Sequence, residues 1–138
     1  MIPRTVQTVL VAVTTAMLLA GCSSVHGERL ADSARGSNAV FFVEHQPKDT
    51  RHLDLQIGDA LAAKGVTITP RREEATHVVT YEDRWSWDMR PYLRALKIEV
   101  RDASGTLVGT GLSKQDSLAA MGKSFRDVID RAVGAMFQ

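Results

Sequence analysis

The chain has 138 residues, 44% hydrophobic and 24% charged, which predicts one globular domain and excludes a disordered or fibrous protein. Its net charge of +1 comes from 17 basic and 16 acidic residues, and Arg4 is the only charged residue among the first 21. Residues 22–138 are therefore neutral overall, which gives no electrostatic reason to expect nucleic acid as a partner.

Residues 1–21 have the pattern of an export signal. A basic start at Arg4 precedes the apolar run VLVAVTTAMLLA at positions 9–20, and a small residue, Gly21, follows it. A helix that spans a bilayer needs about 20 apolar residues, more than this run provides. We therefore predict that residues 1–21 are a signal peptide, removed ahead of Cys22.

Cys22 is the only cysteine of the chain. Leu19-Ala20-Gly21-Cys22 resembles the lipobox of bacterial lipoproteins at every position. The resemblance implies that the Cys22 sulfur carries a diacylglycerol and that the new amino group is acylated, for example with palmitate, which holds the protein on its bilayer. With Ser23 next, it also implies the periplasmic face of the outer membrane in a Gram-negative host. A catalytic thiol needs a nearby base in a fixed geometry and a metal site needs several ligands, and both are disfavoured because Cys22 opens a polar stretch that contains serine and glycine.

A polar segment, CSSVHGERLADSARGS at 22–37, follows the lipobox and shows no sustained hydrophobic period. We predict that it is a flexible tether. A tether of this length would hold the domain about 20 to 25 Å from the lipid. The single domain then covers residues 38–138.

The predicted elements of the domain begin with a strand at 38–45. A helix follows, with Asp49 or Thr50 as its cap and Gly65 as its end. Its apolar residues recur with helical spacing: Leu53, Ile57, Ala60 and Leu61. Four further strands are predicted, at 66–69, 76–85, 96–102 and 106–112. The last element is a helix with Ser124 as its cap and a continuous apolar stripe: Phe125, Val128, Ile129, Ala132, Val133 and Met136.

The order β-α-β-β-β-β-α predicts an α+β fold. We expect a two-layer α/β sandwich, in which a mixed sheet of about five strands carries both helices on one face. The strand at 96–102 has the clearest alternation, with apolar side chains on one face and charged ones on the other. A turn at 102–105 leads to the next strand, where Gly109 and Gly111 share a face and indicate close packing or a bulge.

The motifs of common enzyme classes are missing from the sequence. It contains no G-x-S-x-G, H-E-x-x-H, C-x-x-C or phosphate-binding P-loop. The histidines could in principle bind a metal together with Glu44, Asp49 or Asp54, but none of them shows short ligand spacing, so we predict no metal site and no cofactor. They are His26, His45, His52 and His77. Because carboxylates cannot be paired across the fold from sequence alone, acid–base chemistry has no support, and we expect a protein that is not an enzyme.

An aromatic segment, YEDRWSWDMRPYL at 81–93, holds both tryptophans and both tyrosines. If a strand continues through it, one face carries Tyr81, Asp83, Trp85, Trp87 and Met89. Two interpretations stay open: the tryptophans cover the end of the core, which we favour, or they form a contact surface. The candidate contact residues are Tyr81, Trp85, Trp87, Arg90 and Tyr92.

Several of these features together resemble short, uncharacterised lipoproteins of proteobacteria. The resemblance is carried by the lipobox, by Trp85-Ser86-Trp87-Asp88 and Pro91-Tyr92, by the D-x-x-G turn at 102–105 and by the closing helix. It covers nearly all of the mature chain. It implies the fold and the location, and no activity.

The sequence therefore predicts a lipid-anchored protein of the bacterial cell envelope that acts as a non-enzymatic binding or accessory module. Its expected partners are the membrane, through the lipid on Cys22, and a protein of the envelope. One alternative is a periplasmic module that binds glycan or peptide through residues 81–92. A second alternative is a hydrolase, which would need converging histidine and carboxylate groups.

Overall fold

The computed structural model describes residues 22–121 and 124–138, which form one sheet, two α-helices and two short 3₁₀ segments. The predicted signal peptide at 1–21 lies outside the described residues. The strands and helices are, in chain order, β1 (Ser23–Glu28), β2 (Val40–Val43), α1 (Leu53–Ala63), β3 (Thr67–Ile68), β4 (His77–Asp88), β5 (Arg90–Asp102), β6 (Leu107–Gln115) and α2 (Phe125–Gly134).

The strands lie side by side in the order β1-β6-β5-β4-β2-β3. β2 is parallel to β3 and β4, and the other neighbours are antiparallel. Both helices pack against the same face of the sheet around one hydrophobic core. The predicted α+β class, the mixed sheet and the common side of the helices are confirmed. The sheet has six strands, however, rather than about five.

The sixth strand is β1, and it lies where the sequence predicted a flexible tether. β1 pairs antiparallel with β6, from Ser23 opposite Gln115 to Glu28 opposite Thr110. Leu30 follows it into the core and donates its backbone N–H to the carbonyl oxygen of Met136 at 2.9 Å. The prediction of a tether over 22–37 is therefore wrong. No hydrophobic period marks β1, because an edge strand with mostly exposed side chains does not need one.

The two faces of the sheet differ in composition. The face toward the helices supplies buried apolar side chains to the core: Phe41, Val79, Tyr81, Leu96, Ile98 and Val100. The opposite face, here called the open face, carries charged residues. On β5, Lys97 and Arg101 both pair with the Glu99 carboxylate, at 2.8 and 2.6 Å, and these bonds lower the pKa of Glu99. The predicted alternation of this strand is confirmed.

The helix ends follow from local hydrogen bonds. The Asp49 carboxylate accepts from the backbone N–H groups of Arg51 and Leu53, at 2.9 and 2.6 Å, and so caps α1 from outside the helix. Gly65, with φ of +89°, ends α1 as predicted. At the start of α2, the backbone N–H of Ser124 donates to the Asp127 carboxylate at 3.2 Å, which completes the capping box.

Two glycines of β6 let other parts of the chain approach the sheet. A Cβ atom at Gly109 would collide with the Leu30 side chain, and one at Gly111 with the backbone carbonyl of Ala132 in α2. The structure therefore shows close packing at both glycines, and it also shows a register shift beside Gly109, since Val100 pairs with Gly109 and Arg101 with Leu107.

Candidate functional site

Cys22 lies at the same end of the sheet as the tip of the β4–β5 hairpin. Cys22 precedes Ser23, which pairs with Gln115 at the end of β6. Lys114 in turn pairs with Ala95, near the start of β5. Because these strands alternate in direction, the start of β1, the end of β6 and the hairpin tip at Met89 all lie at the same end of the sheet, here called the Cys22 end, and the hairpin extends beyond β6 there.

The Cys22 backbone is fixed to Asp116. Its N–H donates to the Asp116 carboxylate at 2.8 Å, and its carbonyl accepts from the Asp116 N–H at 3.0 Å. The pKa of Asp116 is lowered first by the backbone N–H of Ala119 and then by that of Cys22. An acylated amino group keeps one N–H, so this arrangement is compatible with a lipidated N-terminus at Cys22.

The Cys22 end also exposes large apolar side chains. Among the described residues, seven large hydrophobic side chains are exposed, and four of them belong to the hairpin tip or to the segment after β6. These four, here called the apolar rim, are Trp87 (74% exposed), Met89 (94%), Leu118 (39%) and Met121 (65%). Arg90 holds the two parts together, because its Nη2 donates to the carbonyl oxygen of Ala120 at 2.6 Å.

The two tryptophans have different environments. Trp85 is half-buried, with the Phe125 ring 5.8 Å away in an edge contact and the Arg51 guanidinium 3.9 Å from its ring centre. Its indole N–H donates to the Asp83 carboxylate at 2.7 Å. Trp87 lies outside these contacts, at the hairpin tip. Core packing therefore accounts for Trp85, whereas Trp87 belongs to an exposed surface.

Tyr81 is not part of any exposed surface, which corrects its inclusion among the candidate contact residues. It is 1% exposed, and its hydroxyl donates to the Asp49 carboxylate at 2.7 Å. Burial, followed by the neighbouring Asp49, raises the pKa of Tyr81. The early part of the aromatic segment faces the core because Tyr81 pairs with Ile98, in the most buried part of β5.

A groove of about 970 Å³ runs along the open face and reaches Cys22. Its walls include Tyr92 and Trp85. Its charged lining consists of four basic residues, Arg84, Arg94, Lys97 and Lys114, and two acidic residues, Glu82 and Asp116. The groove therefore carries an excess of positive charge beside the predicted attachment point of the lipid.

Two of the histidines are isolated from each other and from the remaining two. His26 is exposed on β1, and His77 is buried with its ring 5.1 Å from Phe41. A ring nitrogen of His77 lies 2.8 Å from the Thr76 hydroxyl, which also accepts from the backbone N–H of Val40. Burial lowers the pKa of His77, with the charge of Asp102 opposing the shift. The contact between His77 and Thr76 is therefore part of the hydrogen bonding that holds β4 beside β2.

The other two histidines come together with Asp54. His45 Nδ1 is 3.1 Å from Asp54 Oδ1, and the His45 and His52 rings are stacked with centres 5.6 Å apart. One ligand atom from each of the three residues lies within 4.8 Å of the others. The sequence contained these three residues as possible partners but did not predict their association, because they are seven and two residues apart and show no typical ligand spacing. The sequence did contain a signal for this proximity. A predicted strand ends near His45 and a predicted helix begins just after His52, so the two histidines lie at opposite ends of a short loop.

No protein-family profile matches the chain, and no curated protein matches it in sequence. Two solved structures of similar fold are PelC dodecamers from Paraburkholderia phytofirmans. One is 17% identical with a TM-score of 0.56, over 85% of this chain and 99% of that chain. The other, a variant of the same protein, is 19% identical with a TM-score of 0.55, over 83% and 97%.

A third solved structure, a minor lipoprotein from Acinetobacter baumannii, is 20% identical with a TM-score of 0.38, over 70% of this chain and 86% of that chain. The likeness to PelC shows the fold alone, and the likeness to the minor lipoprotein is too low to support an argument. Within 22–121 and 124–138, neither α-helix is long and apolar enough to cross a bilayer.

Proposed function

We propose that this protein is a lipoprotein of the bacterial envelope, anchored through Cys22 at the periplasmic face of the outer membrane. Its domain acts as a non-enzymatic accessory module that lies directly on the bilayer and presents its groove at the membrane surface. The observation that carries this proposal is the position of the apolar rim, at the end of the sheet where Cys22 directly precedes β1.

The short link between Cys22 and the sheet supports contact with the membrane. Ser23 is already part of β1, and Cys22 is bonded to Asp116 on both its backbone groups. A lipid on Cys22 would therefore keep the Cys22 end close to the lipid headgroups of the bilayer.

The side chains of the apolar rim suit this position. Tryptophan is enriched at the boundary between membrane and water, where an apolar ring and a polar N–H are both accommodated. Methionine and leucine gain about 25 cal/mol for each Å² of apolar surface removed from water. The basic groups of the groove, including Arg94 and Lys114, lie next to Cys22 and are able to pair with phosphate groups of lipids.

Tryptophan fluorescence tests the contact directly. Two variants, Trp85→Phe and Trp87→Phe, each retain one tryptophan, and both full-length proteins are reconstituted in vesicles that contain brominated phosphatidylcholine, whose bromine atoms quench nearby indoles. We expect strong quenching of Trp87 in the first variant and weak quenching of Trp85 in the second, because Trp85 is shielded by Phe125 and Arg51. Equal quenching of both, or of neither, would contradict an oriented contact.

The anchor has a separate test. In cells, Cys22→Ser is expected to abolish the mass added by the lipid and to release the protein from the membrane fraction, because the apolar rim alone buries too few side chains for stable attachment. A Cys22→Ser protein that remained in the membrane at unchanged mass would rule out the lipid anchor, whatever the fluorescence result.

A periplasmic module that binds glycan or peptide is the second candidate, and the composition of the groove favours it. Tyr92 offers an aromatic ring next to Arg84 and Arg94, and such side chains stack on sugars and pair with carboxylates. Titration with cell-wall fragments would then change the fluorescence of Trp85, which lines the groove, more than that of Trp87. An equal response of both tryptophans, or none, would remove this candidate.

A further inference from the structure

We propose that His45, His52 and Asp54 form a binding site for a divalent transition-metal ion such as Zn²⁺. The three residues supply two imidazole nitrogens and one carboxylate oxygen, and these ligand atoms lie within 4.8 Å of one another. This inference does not depend on the membrane anchor or on the groove, since neither involves these three side chains.

The distances need only a small adjustment to enclose an ion. A tetrahedral Zn²⁺ ion with ligands at about 2.1 Å places those ligand atoms about 3.4 Å apart. His45 Nδ1 and Asp54 Oδ1 are already 3.1 Å apart. The His45 and His52 rings are nearly parallel, at 24°, and both side chains are exposed, so rotation about their side-chain bonds is able to bring the second nitrogen closer.

The backbone that carries these ligands is held in place before any ion binds. At one end of the loop, the backbone N–H of Glu44 donates to the carbonyl oxygen of Val79 at 2.9 Å. In the middle, Gln46 donates its backbone N–H to the Tyr81 hydroxyl and its side-chain amide to the Tyr81 carbonyl. At the other end, Asp49 caps α1 as described above. An ion would therefore bind without ordering the loop, which lowers the entropic cost of binding.

His52 has a backbone conformation that residues other than glycine seldom adopt. Its φ and ψ are +53° and +50°, in the left-handed region where glycine is preferred. A histidine held there by its surroundings costs free energy relative to glycine, and such residues cluster at functional sites. The left-handed turn directs the His52 side chain toward His45 rather than along α1, as the stacked rings show.

The ligand set selects the class of metal. Imidazole nitrogens favour Zn²⁺, Cu²⁺, Ni²⁺ and Co²⁺, whereas Mg²⁺ and Ca²⁺ prefer oxygen ligands alone. The positive end of the α1 dipole works against a cation here, with an effect of about half a charge. Two carboxylates lie close enough to offset it: Asp54, in the first turn of α1, and Asp49, whose pKa is lowered by its hydrogen bonds despite its burial.

The test uses the full-length protein, purified in detergent without a polyhistidine tag. Calorimetric titration with ZnCl₂ is expected to show one ion bound per chain, and addition of CoCl₂ is expected to give the visible absorption of Co²⁺ in a nitrogen and oxygen site. MgCl₂ in place of ZnCl₂ is expected to give no heat of binding. Absence of saturable Zn²⁺ binding would overturn the proposal.

Three variants test whether the ion binds to the three proposed ligands. His52→Gly is the sharpest, because glycine accepts the left-handed conformation and the fold should be kept or stabilised while a ligand is lost. We expect each of the three variants to weaken Zn²⁺ binding by about tenfold or more: His52→Gly, His45→Ala and Asp54→Asn. His26→Ala, on the exposed edge strand, is the matched control and should bind as the unchanged protein does. Equal affinity in His52→Gly and the unchanged protein would refute the site.

Discussion

Asp49 connects three parts of the chain through one buried carboxylate. It accepts from the backbone N–H groups of Arg51 and Leu53 at the start of α1 and from the Tyr81 hydroxyl on β4. Burial alone would raise the pKa of Asp49, but these hydrogen bonds outweigh burial and the pKa is lowered. The sequence offered Asp49 or Thr50 as the cap of α1, whereas the bond between Asp49 and Tyr81 depends on a contact across 32 residues.

The Asp49→Asn variant should lose stability at neutral pH. The amide has one acceptor oxygen instead of two and no charge, so at least one N–H or O–H donor loses its partner, at a cost of about 1 to 3 kcal/mol. Because the native pKa is lowered, the ionised carboxylate stabilises the fold above about pH 4 and this contribution is lost as the pH falls further.

Urea unfolding of both proteins at several pH values measures this effect. The difference in the free energy of unfolding between the unchanged protein and Asp49→Asn should be largest near pH 7 and should shrink in acid. A difference that stayed constant from pH 7 to below pH 4 would show that the charge of Asp49 does not stabilise the fold.

At the level of elements, the two helices and the central strands could be predicted because each has a regular hydrophobic period. The stripe of α2 and the alternation of Leu96, Ile98 and Val100 are direct consequences of burying one face. β1 could not be predicted in this way. It is recognised by its backbone bonds to β6 and by Gly27, which lies against Ala135 where a side chain would not fit.

The residues of the candidate site also fall into two groups, those that could be predicted from the sequence and those that could not. The resemblance that identified Cys22 and the composition that singled out 81–93 both depend on residues that are neighbours in sequence. Leu118 and Met121 come to the same end of the sheet as Trp87 only through the fold, where Arg90 bonds to Ala120, just as His45 meets Asp54 only through the fold. A register shift after Arg84 also breaks the simple alternation expected along β4. The sequence alone therefore could not separate the buried Tyr81 from the exposed Trp87.

Close packing of α2 on β6 gives a prediction with a matched control. Gly111→Ala should destabilise the fold by about 1 to 3 kcal/mol, because the new methyl group meets the backbone of Ala132 and α2 has to move. Gly134→Ala, at the end of the same helix, meets no atom within 4 Å and should be neutral or stabilising by up to about 1 kcal/mol. Thermal unfolding of the two variants measures the contrast, and equal effects would argue against the close approach.

At the level of the whole molecule, the order of the strands would decide which surface meets the membrane if the proposed anchor at Cys22 is present. β1 is an edge strand and starts next to the predicted lipid attachment, so a lipid on Cys22 would join the domain to the bilayer through the sheet itself. The turn at 102–105, in which the Asp102 carboxylate accepts from the backbone N–H groups of Ser104 and Thr106, lies at the other end of β5. It should therefore point away from the membrane.

This orientation should depend on the absence of a flexible link between Cys22 and β1. Ten glycine and serine residues inserted between Cys22 and Ser23 would restore a flexible link with a reach of about 16 to 19 Å. In the Trp85→Phe protein, the insertion should reduce the quenching of Trp87 by brominated lipid, because the domain is then free to leave the surface while the anchor stays. The same ten residues inserted between Ser104 and Gly105, in an exposed turn, should leave the quenching unchanged. Should the first insertion have no effect either, the apolar rim would hold the domain on the membrane by itself, and direct attachment through β1 would not set the orientation.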